Sequence, residues 1–116
     1  MKVLKDAEKV LHIMDAKLDE LRKSRKKFTE ADGKEATEIS GQETAIIRIA
    51  AYIRLAINHH GCFGAGDMAC VRIYADDAKE ESNKPFNNPR VTWFVKGLAK
   101  GAAWACVGLE DRMMEP

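Results

Sequence analysis

The sequence has no excess of charge, no cysteine framework and no long apolar run. Lysine and arginine number 19 and aspartate and glutamate 18, so the net charge is +1. No global field therefore steers the chain toward nucleic acid or an anionic membrane. The three cysteines, Cys62, Cys70 and Cys106, are odd in number and widely spaced. That argues against a disulfide scaffold and for a reducing, cytoplasmic compartment. No stretch reaches the roughly 18 uninterrupted apolar residues of a membrane span. The richest, Val91 to Leu109, is broken by Lys96 and Lys100. The N-terminal residues turn charged at once, so no signal peptide is expected. Internal repeats and low-complexity tracts are absent, and no segment sustains the period-two alternation of a strand, so no sheet is expected.

Helical pattern is present throughout. Leu4, Ala7, Leu11, Met14, Leu18, Leu21, Arg25 and Phe28 recur at steps of three and four, predicting a first helix over residues 3–28 with a heptad seam. Its basic end, Arg22 to Lys27, suits a helix C-terminus. A polar stretch from Thr29 to Ile39 reads as a loop. Ser40-Gly41-Gln42-Glu43 has the spacing of a capping box and predicts a second helix from there to about His59. That helix is apolar on both sides, with Ile46, Ile49, Ile53 and Ala56 on one face and Ile47, Ala51 and Leu55 on the other; such a helix is central or meets a partner. Gly61 is placed to end it, and Asp67 to cap a third helix reaching about Glu81. Asn88-Pro89 marks the start of a fourth, running to about Met114. The expected architecture is one all-α domain over residues 1–116, a bundle of about four helices, assembled as a homo-oligomer.

Few residue constellations suggest chemistry. His59, His60, Cys62 and Cys70 are zinc-type ligands, but they lack a paired Cys-x-x-Cys and match no common spacing, so no metal or other cofactor is expected. The loop Gly61 to Gly66 is not a phosphate cradle, because Asp67 would place a carboxylate at the helix N-terminus. Asp76, Asp77, Glu80 and Glu81 lack a facing acidic helix for a magnesium site and read as a solvated face. They would also repel DNA from the third helix, so nucleic acid is not expected as a partner.

Arg54-Leu-Ala-Ile-Asn-His59-His60 resembles the active-site motif of HEPN-domain ribonucleases, which are helical domains of about this size. The resemblance implies that Arg54 would hold a scissile phosphate and that His59 or His60 would act as general acid and base.

A different signal lies on the fourth helix. Trp93 and Trp104 are eleven residues apart and share a face, bordered by Gly97, Gly101 and Gly108, with Lys100 between the tryptophans. Several glycines in one helix suggest close approach by another backbone, and tryptophans beside such a groove make good anchors. The expectation is a non-enzymatic regulator or inhibitor that binds a protein partner through Trp93, Gly97, Lys100, Gly101 and Trp104. The alternative is the ribonuclease.

Overall fold

The computed structural model describes residues 1–28 and 33–116. Four helices, α1 (Ala7–Arg25), α2 (Lys34–His60), α3 (Ala65–Ser82) and α4 (Pro89–Glu110), hold 77% of the described residues. They pack against one another as an all-α bundle. None is long and apolar enough to cross a membrane.

The longest helix, α2, is the centre. It receives α1 on one flank and α4 on another, and α3 lies against α4. Ile46 and Ile53 of α2 are wholly buried with Met14 of α1, Met68 of α3 and Leu109 of α4. The α1 seam is covered within the chain: Val10, Met14, Leu18 and Leu21 are buried, so no second copy is needed to hide them.

The α2–α4 contact is made by glycines. A Cβ on Gly97 would run into the Glu38 carbonyl oxygen and come within 3.0 Å of the Gly41 Cα. One on Gly101 would lie 2.6 Å from the Gln42 oxygen, and one on Gly41 would meet the Phe94 oxygen. Two backbones approach this closely only where both lack side chains.

Several boundaries differ from the sequence expectation, and α1 spans Ala7–Arg25 rather than residues 3–28. Helix α2 begins at Lys34 after Gly33, seven residues before Gly41. Ala36 and Ile39 are buried, so the apolar stripe starts upstream of the supposed cap. Ser40 lies inside the helix, its carbonyl accepting from the Thr44 hydroxyl at 2.8 Å. Glu43 caps nothing; its Oε1 accepts from Arg25 Nε at 2.9 Å and ties the end of α1 to α2. Of the expected polar loop, Thr29, Glu30, Ala31 and Asp32 lie outside the described residues. At the other end α4 stops at Glu110, and a short sheet exists where none was expected. Residues Val3–Leu4 (β1) pair antiparallel with Met113–Met114 (β2). The Leu4 amide also donates to the Phe63 oxygen at 2.8 Å, clasping both termini to the α2–α3 loop. Two-residue strands are too short for any period to be visible.

Gly61 and Asn88-Pro89 punctuate the chain as expected, whereas the third helix is capped at Gly64 rather than at Asp67. Gly61 adopts a left-handed conformation (φ 78°) and returns its amide to the Ile57 oxygen at 2.8 Å. Asn88 Oδ1 accepts from the Arg90 amide at 2.9 Å with Pro89 in the first turn. Asp67 acts from inside its helix, which starts at Ala65, and accepts the Gly64 amide at 2.8 Å.

Glu43 is buried, its side chain 11% exposed, so losing Arg25 strands a charge away from water. Arg25→Ala is expected to cost about 2 kcal/mol, below the 3–5 of a fully buried pair because the guanidinium is partly in water. Arg25→Met with Glu43→Leu should recover most of that in urea unfolding. A double variant no better than the single one would show that the buried carboxylate is not the cause.

Candidate functional site

Helices α1 and α4 both rest on α2 and leave a cleft of about 710 Å³ between their outer walls. Val10, Ile13 and Met14 line it from α1, and Trp104, Val107 and Gly108 from α4. Its floor is core, since Met14 and Leu109 are buried. Its walls are apolar and open: Ile13 is 37% exposed, Trp104 38% and Val107 60%. A Cβ at Gly108 would meet nothing within 4 Å, so that stretch of wall is empty space.

The lining carries one charge of each sign, Arg112 and Asp111, and lysines stand beside it. Lys17 Nζ stands 5.7 Å from the centre of the Trp104 ring, within cation–π range, and also reaches Glu20 at 3.4 Å. Lys9 shares the i, i+4, i+8 row of Ile13 and Lys17 on α1, Lys100 lies one turn before Trp104, and Arg112 closes one end.

The five residues proposed from sequence therefore separate. Trp104 lies in the cleft and Lys100 is exposed a turn away. Trp93 is half-buried near the start of α4 and does not line the cleft. Gly97 and Gly101 are buried against α2, which corrects the expectation that a partner uses them. All belong to one stripe of α4, but crossing helices touch along such a stripe for only a few turns. The stripe meets α2 at Gly97 and Gly101, and by Trp104 and Gly108 it faces open space. The α1 wall was missed, although Lys9, Ile13 and Lys17 at i, i+4 and i+8 beside the seam carried the signal.

Arg54 turns toward α1, its Nη2 lying 3.8 Å from Asp15 Oδ1. His59 and His60 are exposed in the last turn of α2, their ring centres 6.3 Å apart. Among the described residues no three histidine, cysteine or acidic side chains form a group able to hold a metal ion. Cys62 and Cys70 are exposed and free. A second exposed apolar row, Ile47, Ala51 and Leu55, runs along the outside of α2, flanked by Arg48 and Arg54.

Between α2 and α3 a smaller cavity of about 230 Å³ is lined by Arg48, Ile49, Tyr52, Cys70, Val71 and Tyr74. The Tyr52 hydroxyl donates to Asp67 Oδ1 at 3.3 Å, and its ring meets Phe63 edge-on. The neighbouring Cys70 side chain foremost, then burial and the Asp67 carboxylate, push the Tyr52 phenol up to about 12. A phenol raised from 10.0 holds its proton more tightly when folded, so it stabilises below pH 10 and loses that contribution as pH climbs toward 12. Absorbance titration should show one tyrosine ionising near 12, and Tyr52→Phe should flatten the fall in stability over that window. An unchanged slope in the variant would refute the assignment.

Comparison with protein-family models, curated proteins and solved structures finds no match to this chain.

Proposed function

We propose that this protein acts by binding: a small cytoplasmic helical module, without catalysis of its own, that regulates or inhibits a protein partner seated in the α1–α4 cleft. The observation that carries this reading is the cleft itself, in which Ile13, Trp104 and Val107 remain exposed over a buried apolar floor. An open apolar cleft between two helices suits the apolar ridge of a third, the helix-in-groove mode of recognition. Trp104 supplies a rigid anchor of the type that dominates interface energetics. Lys9, Lys17, Lys100 and Arg112 favour acidic flanks on the incoming helix.

The ribonuclease alternative has less support, since the Arg54 guanidinium is engaged with Asp15 of α1 at 3.8 Å. The test is a titration with two synthetic amphipathic helical peptides, one acid-flanked and one base-flanked. The acid-flanked peptide should bind and shield an indole from iodide, and the protein should not cut RNA. RNA cleavage abolished by Arg54→Ala, with neither peptide bound, would replace this reading with the ribonuclease.

A further inference from the structure

We propose that the helix seated in the α1–α4 cleft is the outer ridge of α3 from a second copy of this chain. The inference rests on the reading of the cleft as a helix-binding surface and names its occupant.

The outward face of α3 has the chemistry the cleft asks for. Ala69, Ile73, Asp76, Asp77 and Glu80 are all exposed along it, and Ile73 is the most exposed large apolar side chain within the four helices, at 61%. The ion pairs of α3 run from Arg72 to Glu110 and from Glu81 to Lys84, leaving Asp76, Asp77 and Glu80 outside them. These carboxylates sit in the last turns of the helix, where the backbone carbonyls already concentrate negative charge. Within one chain that placement is unfavourable, and the lysines beside a second molecule's cleft relieve it.

Shape points the same way. Ile73 stands on a convex helix, whereas Ile13, Trp104 and Val107 flank a concavity. The α2 row Ile47, Ala51 and Leu55 is also flanked by arginines, but it is itself convex and offers a ridge no seat. Each copy carries one cleft and one ridge, so a two-fold arrangement engages both pairs at once and closes as a dimer. Attraction between the Asp/Glu ridge and the lysines beside the cleft weakens with added salt.

The experiment is sedimentation at micromolar concentration of the full chain, of Trp104→Ala (cleft disabled), of Ile73→Glu (ridge disabled), and of an equimolar mixture of the two variants. Val107→Glu serves as a second cleft variant should Trp104→Ala fold poorly. The wild-type chain should be dimeric, and either variant alone should dissociate with a constant raised roughly thirtyfold or more. The mixture should associate more tightly than either variant alone and less tightly than wild type, because one of its two cleft–ridge contacts is intact and the other is lost. An Ile73→Glu protein that dimerises like wild type overturns the proposal, as does a mixture no more associated than its components. A wild-type chain that stays monomeric overturns it too. In that case, binding of the acid-flanked peptide by the monomer would preserve the cleft reading, and failure of the peptide would remove both.

Discussion

Gly97→Ala lowers the unfolding free energy by roughly 2–3 kcal/mol, while Gly108→Ala on the same helix raises it by up to about 1 kcal/mol. Alanine is the better helix former at both positions, so propensity alone predicts the same gain twice. Space decides the sign. At Gly97 the new methyl meets the Glu38 carbonyl oxygen, a backbone atom that cannot rotate aside, and α2 and α4 must part along their contact. At Gly108 nothing lies within 4 Å. Gly101→Ala behaves like Gly97→Ala, its Cβ falling 2.6 Å from the Gln42 oxygen. For a chain of this length each kcal/mol moves the melting temperature by roughly 3–6 °C, so calorimetry separates the variants easily. Equal stabilisation by all three substitutions would mean that α2 and α4 do not cross at their glycines.

Trp104→Ala produces a different dissociation of effects. Truncating a fully buried indole costs about 3–5 kcal/mol of folding stability. Trp104 is 38% exposed on the open wall of a cleft, so its folding cost should be only about 1 kcal/mol. Its binding cost should reach 2 kcal/mol or more, a fall in affinity of roughly thirtyfold. Trp93→Ala should do the reverse, because Trp93 is half-buried and outside the cleft. Calorimetry on both variants, beside a binding isotherm with the acid-flanked peptide, measures both quantities. A Trp104→Ala protein that loses stability and keeps affinity would make the indole a structural residue.

The glycines and tryptophans also show how far the sequence could be read. Helix-scale features were legible because each has a local cause: the apolar row of α1, the left-handed Gly61, the Asn88-Pro89 start of α4. The start of α2 was not. Ser40 and Glu43 have the right chemistry for a cap, and only the buried Ala36 and Ile39 and the Arg25 partner of Glu43 show that the helix is already under way. Clasped strands of two residues carry no period and depend on where α4 happens to end. The cleft was half legible. Trp104 and the glycines marked α4 as a helix that something approaches closely, but which glycines meet α2 and which face open space depends on the crossing point. Lys9, Ile13 and Lys17 mark an exposed row on α1, but that this row walls a cleft depends on how two helices sit on a third, a tertiary relation that no single segment encodes.

The α1–α4 cleft is proposed as the surface through which this protein works. Amide and methyl NMR of the Ile73→Glu protein, whose cleft a second copy cannot fill, decides it during titration with the acid-flanked helical peptide. Shifts should concentrate at Ile13, Val107 and the Trp104 indole, with Ile47 and Leu55 on the outside of α2 unmoved. Shifts confined to Ile47, Ala51 and Leu55, with the cleft silent, would contradict it.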